Sequence, residues 1–162
     1  MAGSVNITGV GDWQAKVKAE MKKLNEKAVK EVAEAAFIVS EAFFDRTPVW
    51  EGTTIRNYQW GKSPIRGGQL SAIGSGDPGH TGFMPLGAEP RRPANEAAVM
   101  AQLRGVLPKD KLHDLYLTNT VRPEQWDLVD NGAAPRRSRA RNPGGVTKIA
   151  IANAKSRLKN FK

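Results

Sequence analysis

Apolar side chains recur every three or four residues along the first third of the chain, while lysine and glutamate occupy the opposite face. The apolar positions are Trp13, Val17, Met21, Leu24, Ala28, Val32, Ala35, Val39 and Phe43. This periodicity predicts one amphipathic helix ending near Arg46, with Asp12 as its N-terminal cap. The helix must end there because Thr47 precedes Pro48, and a residue before proline is pushed out of helical geometry.

This predicted helix is long for a chain of 162 residues. About 33 residues at 1.5 Å each span roughly 50 Å, whereas the radius of gyration of such a domain is only about 15 Å. We therefore expect part of the helix to pack on something outside its own domain. A coiled coil is the alternative, although the heptad register is not strict and Ala28 and Ala35 are small for core positions.

After Gly52 the pattern changes from helical spacing to alternation, which predicts a strand from Thr54 to Trp60. One predicted face carries Ile55, Asn57 and Gln59, and the other carries Arg56, Tyr58 and Trp60. Aromatic residues interleaved with Arg56 and Lys62 could stack on nucleic-acid bases. We favour the interpretation that Tyr58 and Trp60 pack under the long helix, because a small sheet must bury one face.

The remainder alternates between loops and short elements. Glycine and proline dominate residues 61–90, which predicts an extended loop or arm. A helix is predicted over 93–104 with Ala97, Met100, Ala101 and Leu103 as apolar positions and Gly105 closing it. A strand follows over 112–121, then a short helix beginning at Pro123, a basic loop over 133–145, and a final helix from Val146, for which a strand over 146–151 is the alternative.

These elements predict a single domain over residues 1–162. The expected fold class is α+β: a long N-terminal helix packed on a small antiparallel sheet, with two or three shorter helices and a long Gly/Pro-rich loop.

Charge is divided unevenly along the chain. The net charge is +9, all 16 acidic residues lie at or before Asp130, and nine basic residues occupy the last 28 positions. Such a block favours polyanions or an acidic protein surface, although a solvated basic tail is the simpler interpretation.

Catalytic and cofactor chemistry finds no support in the sequence. There is no cysteine, and neither His80 nor His113 has a second metal ligand at a suitable spacing. No phosphate-binding fingerprint or nucleophile elbow occurs either, so we expect no enzyme, no cofactor and no metal site. No stretch approaches the roughly 20 apolar residues of a membrane span, so we expect a soluble protein without a membrane partner.

Two segments resemble a known family. Thr47, Pro48, Val49, Gly52, Arg56 and Trp60 match the segment that follows the long N-terminal helix in the tail-completion, or head-tail joining, proteins of long-tailed bacteriophages. A second segment of that family, ahead of its final helix, is matched by Asn119, Pro123, Trp126, Val129, Gly132, Ala134 and Pro135. The likeness spans about Asp12 to Lys155.

This resemblance implies a non-enzymatic protein of the virion, made in the host cytoplasm, that forms a hexameric ring in the neck or at the head-proximal end of the tail. Its partners would be neighbouring connector or neck proteins and tail terminator or tail tube proteins, with weak sequence-independent contact to the packaged DNA. Four arginines would face the DNA lumen or a partner: Arg136, Arg137, Arg139 and Arg141. The alternative is a free nucleic-acid-binding protein with a basic C-terminal arm.

Overall fold

The computed structural model describes residues 10–47, 53–73, 91–122 and 145–160. Along the chain the elements are α1 (Val10–Arg46), α2 (Thr53–Arg56), β1 (Tyr58–Gly61), α3 (Arg92–Val106), β2 (Tyr116–Asn119) and α4 (Val146–Lys159). The two strands pair antiparallel and the long first helix packs with them and with the shorter helices. The predicted α+β class is confirmed.

Helix α1 is one continuous element, as predicted, and it ends at Arg46. The helix begins at Val10, so the prediction that Asp12 caps it is wrong. The Asp12 carboxylate lies within the first turn, where its negative charge interacts favourably with the helix dipole. At the other end, the Thr47 amide and hydroxyl both donate to the carbonyl of Phe43, at 3.0 and 2.8 Å. The last turn is thus closed before Pro48.

The predicted strand over residues 54–60 is wrong in its first half. Residues Thr53–Arg56 form the helical turn α2, in which the backbone N–H and the side-chain Nδ2 of Asn57 both donate to the carbonyl of Thr53, at 3.1 and 2.7 Å. Such side-chain bonds to nearby backbone compete with strand geometry. The alternation of the sequence becomes a strand only from Tyr58.

Strand β1 is buried beneath α1. Tyr58 and Trp60 point to the same side, where Tyr58 Oη lies 2.8 Å from Thr47 Oγ1 and Trp60 Nε1 donates to Ser40 Oγ at 2.9 Å. Both rings are almost fully covered, at 2% and 4% exposure. The prediction that they pack under the helix is confirmed, and base stacking by these rings is excluded by their burial.

Helix α3 lies along the edge of β1 that β2 leaves free. Its Gln102 Oε1 accepts a hydrogen bond from the Trp60 N–H at 3.2 Å, in the place that a third strand would take. The predicted end at Gly105 is wrong, because the helix continues to Val106 and the Leu107 N–H bonds back to Leu103. The predicted apolar positions are partly wrong as well: the buried ones are Arg92, Asn95, Val99 and Leu103, whereas Ala97 and Ala101 are exposed.

Strand β2 is shorter than predicted. Only residues Tyr116–Asn119 pair with β1, in a register that places Trp60 opposite Leu117 and Tyr58 opposite Asn119. Residues 112–115 have no regular structure, and Val121 is buried just after the strand.

The remaining predictions concern two loops and one short helix. The predicted loop over 61–90 begins one residue too early, because Gly61 ends β1, and residues 62–73 contain no helix or strand. Residues 74–90 of that loop, the short helix predicted from Pro123 and residues 133–144 of the predicted basic loop lie outside the described residues.

Helix α4 packs along the C-terminal half of α1. The predicted final helix is therefore confirmed and the alternative of a strand over 146–151 is wrong. Val146, Ala150 and Ala154 form its buried side. Gly145, directly before it, has a φ of 85°, which a residue with a side chain adopts only under strain.

The main core lies between α1, the α2–β1 segment and α3. It is built from Ala36, Phe44, Ile55, Tyr58, Trp60, Val99 and Leu103. The rings of Phe43 and Tyr58 meet edge to face with centroids 5.4 Å apart, which fixes the aromatic side of α1 over the sheet.

Candidate assembly surface

The N-terminal half of α1 projects from the rest of the described chain. Every residue from Gly11 to Leu24 is exposed, whereas the buried positions of the helix begin at Ala36. Three large apolar side chains are about two-thirds exposed, Trp13 at 65%, Met21 at 65% and Leu24 at 67%, and Val17 is exposed as well. An isolated helical segment of about 14 residues is marginal in water, and packing of an apolar face is what usually stabilises such a segment in a protein.

These four residues form one stripe along the helix, which we name the α1 stripe: Trp13, Val17, Met21 and Leu24. Their spacings of four, four and three residues place them within an arc of about 80°, counting about 100° per residue. The stripe is therefore a continuous apolar surface about 16 Å long rather than a set of scattered side chains.

The α1 stripe continues the face that α4 covers farther along the same helix. Ala42 is fully buried and lies 18 residues after Leu24, which is five complete turns. On one side of Ala42, Glu41 and Asp45 bind Arg157 of α4, at 3.6 and 2.6 Å. One face of α1 thus carries a helix at its C-terminal half and presents bare apolar side chains at its N-terminal half.

The opposite side of Ala42 is also in contact with α4. With the Asn153 amide oriented to suit its neighbours, its oxygen accepts from Arg46 Nε and Nη2 at 3.0 and 3.2 Å. Contacts on both sides of Ala42 establish that α4 lies over this residue. The α1 stripe has the same angular position, so a helix is a suitable shape of partner for it.

Charges of both signs border the α1 stripe. Glu20 and Lys27 lie near the edge of the stripe and pair with Lys23 at 2.8 Å and Glu31 at 3.8 Å, whereas the pair of Lys22 and Glu26 at 3.9 Å lies on the opposite side of the helix. All of these side chains are more than half exposed, so each pair contributes little to stability. A border that mixes lysine with glutamate can pair with a second copy of itself.

The base of the projecting segment is tied to the domain. Asn25 Nδ2 donates to the carbonyl of Asp110 at 2.6 Å, so the segment between α3 and β2 lies beside α1 there. His113 Nε2 lies 2.9 Å from the carbonyl of Val106 and holds that segment in shape. Leu112 between these two contacts is exposed, so apolar surface also occurs at the base.

The residues of the two family-like segments are brought together where the structure describes them. Trp60 and Asn119 lie on the paired strands, and Asn119 Nδ2 donates to the carbonyl of Thr54 at 3.2 Å. Thr47 closes α1, and Arg56 ends α2 with a half-buried side chain. The other predicted residues of these segments lie outside the described ranges, as do the four arginines: Pro48, Val49, Gly52, Pro123, Trp126, Val129, Gly132, Ala134, Pro135, Arg136, Arg137, Arg139 and Arg141.

Two buried asparagines, which the sequence did not single out, fix the irregular segment 64–73. Asn57 Nδ2 donates to the carbonyl of Leu70 at 2.9 Å while its Oδ1 accepts from the Leu70 N–H at 2.7 Å. Asn95 makes the same pair of bonds with Ile73, both at 2.9 Å. Each amide imitates a strand backbone, and no local pattern in the sequence indicates this because the partners are 13 and 22 residues away.

A third missed residue is Arg92, which is buried at the end of α1. Its Nη1 and Nη2 donate to the carbonyls of Phe44 and Thr47, both at 2.9 Å, and Nη1 also binds Glu96 at 2.9 Å. A cation at the C-terminal carbonyls of a helix is favoured by the helix dipole.

An open cleft of about 560 Å³ is lined by residues 65–69 and 119–122, which include Arg66 and Arg122 but no carboxylate or histidine. Within the described ranges, no group of three or more His, Cys, Asp or Glu residues is placed to hold a metal ion. No described helix has both the length and the apolar composition needed to cross a bilayer.

Comparison with protein families, curated proteins and solved structures gives no match to this chain.

Proposed function

We propose that this chain is a structural subunit of a phage neck or of the head-proximal end of a phage tail, which assembles as a ring around the passage for DNA. The observation that carries the proposal is the α1 stripe, an apolar surface on a helix that outgrows its own domain. At 1.5 Å per residue the 37 residues of α1 span about 55 Å, far more than α4 or the sheet can cover.

The partner of the α1 stripe in this proposal is a second copy of the chain. The mixed charges beside the stripe suit self-association, and α4 already provides one example of a helix seated on the same face. A closed ring needs a heterologous contact, so the stripe of each copy would bind a different surface of the next copy, and every stripe in the ring would then be covered. The hexameric subunit number and the joining of head to tail rest on the family resemblance of the two sequence segments.

In this proposal four arginines face the DNA lumen or an acidic partner: Arg136, Arg137, Arg139 and Arg141. Adjacent connector, tail terminator or tail tube proteins would bind the two faces of the ring.

The basic C-terminus is the observation that supports the alternative, a free nucleic-acid-binding protein. Residues 146–159 are nevertheless not a loose arm, because Val146, Ala150 and Ala154 are buried in the fold. Deleting residues 135–162 would therefore damage folding as well as any DNA contact.

Native mass spectrometry of the full chain over a range of concentrations tests the assembly, and mass spectrometry of purified virions tests the location. We expect a closed oligomer of defined size and the presence of the protein in virions. A chain that stays monomeric at tens of micromolar and is absent from virions would contradict the proposal.

A further inference from the structure

Helix α4 has an unusual charge composition. Its 14 residues include Lys148, Lys155, Arg157 and Lys159 but no aspartate or glutamate. An exposed helix normally mixes both signs, as the projecting half of α1 does, since pairs of opposite charge support the helix. The absence of any acidic residue leaves α4 strongly cationic.

The three lysines lie on a single side of α4. Lys155 and Lys159 follow Lys148 by 7 and 11 residues, which places all three within an arc of about 40°. The buried residues Val146, Ala150 and Ala154 lie on the opposite side. The lysines therefore form a straight exposed row about 16 Å long, which we name the α4 lysine row.

Arg157 has a different role from these lysines. It binds Asp45 at 2.6 Å and Glu41 at 3.6 Å and so holds α4 on α1. Among the described residues, Lys148, Lys155 and Lys159 form no ion pair. Arg157 therefore attaches α4 to α1, and in this orientation the three lysines without ion pairs face the solvent.

We propose that the α4 lysine row binds the phosphate backbone of double-stranded nucleic acid. Lys155 and Lys159 lie about 6 Å apart along the helix, within the Debye length of about 8 Å at physiological salt, and Lys148 lies about 10 Å from Lys155. An anion that binds along the row therefore relieves repulsion between neighbouring lysines. A duplex presents one negative charge per roughly 1.7 Å of its axis, so a straight row finds phosphates in any register.

Phosphate suits this row better than an acidic protein does. Carboxylates on a protein surface stand at fixed positions and would have to match the lysine spacing, whereas a phosphate backbone is a continuous line of charge. Lysine is also a flexible point charge without the planar fork of arginine, which suits contacts that do not read sequence. The inference concerns α4 alone and does not depend on ring assembly through the α1 stripe.

The test measures binding of the full-length protein to a fluorescent 30-base-pair duplex by anisotropy at several salt concentrations. The variant carries Lys148→Gln, Lys155→Gln and Lys159→Gln together. A matched control removes three exposed lysines of α1, Lys16→Gln, Lys18→Gln and Lys30→Gln, so that net charge changes equally. Glutamine preserves helix propensity, and thermal melting of each variant verifies folding.

We expect the wild type to bind more weakly as salt rises. The α4 variant should lose at least tenfold in affinity at low salt, and its slope of log K against log salt should fall by about two to three because up to three phosphate contacts disappear. The control should remain within about threefold of the wild type. Binding unchanged in the α4 variant, or reduced equally in both variants, would overturn the proposal.

Polyglutamate of matched charge serves as a competitor. Displacement of the duplex by polyglutamate at equal charge concentration would show that the row recognises acidic protein instead, and it would also overturn the proposal. Failure to displace, together with the losses described above, supports binding to phosphate.

Discussion

The side-chain oxygens of Thr47 and Tyr58 lie 2.8 Å apart and join the end of α1 to the start of β1. Thr47 has a single hydroxyl hydrogen, and it is donated to the carbonyl of Phe43 at 2.8 Å. Tyr58 must therefore be the donor to Thr47. One buried threonine thus closes the long helix and also positions the strand beneath it.

Two variants that remove the bond between Thr47 and Tyr58 should destabilise the fold to different extents. We expect Tyr58→Phe to lower the free energy of unfolding by about 1 kcal/mol, because one buried hydrogen bond is lost. Thr47→Val should cost about 2 kcal/mol, since the Phe43 carbonyl loses a donor and the bond between Thr47 and Tyr58 is lost as well. Urea denaturation measures both values. Tyr116→Phe, at an exposed tyrosine of β2, is the control and should change stability by less than about 0.5 kcal/mol.

The sequence predicted α1 well and its surroundings less well, for different physical reasons. A periodic pattern over more than 30 residues averages out local effects, so the helix and its end at Arg46 could be predicted. The turn α2 could not, because Asn57 combines its bonds to Thr53, four residues away, with bonds to Leu70 and Thr120, which are 13 and 63 residues away. Polar residues with distant partners leave no local signal.

The buried side of α3 differs from the predicted side because two of its residues are polar. Arginine and asparagine are mostly exposed in proteins, so Arg92 and Asn95 did not count as inward positions and the apolar stripe was displaced onto exposed alanines. For α1 the apolar face is predicted correctly, but the pattern does not show which part of that face is exposed. Leu24 and Ala42 occupy the same angular position, so periodicity alone does not reveal which half of the helix lacks a cover.

Arg92 should be among the residues that contribute most to stability. Arg92→Met retains much of the side-chain volume but removes the guanidinium donors to the carbonyls of Phe44 and Thr47, so we expect a loss of about 3 kcal/mol. The Phe44 carbonyl keeps only the 3.2 Å bond from the Thr47 N–H. Arg104→Met is the matched control on the same helix. Arg104 is exposed, with its guanidinium 6.0 Å from the Phe37 ring, and should cost less than about 1 kcal/mol. Equal losses in chemical denaturation would argue against a special role for Arg92.

Asn57 should hold the segment 64–73 in place as well as stabilise the fold. Asn57→Ala removes the amide that bonds to both backbone groups of Leu70, and we expect a loss of about 3 kcal/mol. Hydrogen exchange gives the more specific result, since the Leu70 N–H should lose its protection even where the global fold persists. Asn25→Ala, which removes one exposed bond to Asp110, should leave Leu70 protected. Retained protection of Leu70 in Asn57→Ala would mean that other contacts fix this segment.

The α1 stripe gives the most direct test of assembly. Met21→Glu with Leu24→Glu places two charges on the stripe, and burial of each apolar side chain contributes about 1.5 kcal/mol or more. Self-association should therefore weaken by roughly 100-fold or more, because about 3 kcal/mol is lost and two charges would be buried. Sedimentation equilibrium measures this change.

The control for this test is Ala15→Glu with Ala19→Glu, which adds the same charge at exposed positions of α1 away from the stripe. It should associate like the wild type. Thermal melting in dilute solution, where the chain is monomeric, separates assembly from folding: both double variants should melt within a few degrees of the wild type, since none of the four positions is buried. If only the stripe variant melted early as a monomer, the stripe would be covered by its own chain, and if both variants associated normally, the partner would bind elsewhere.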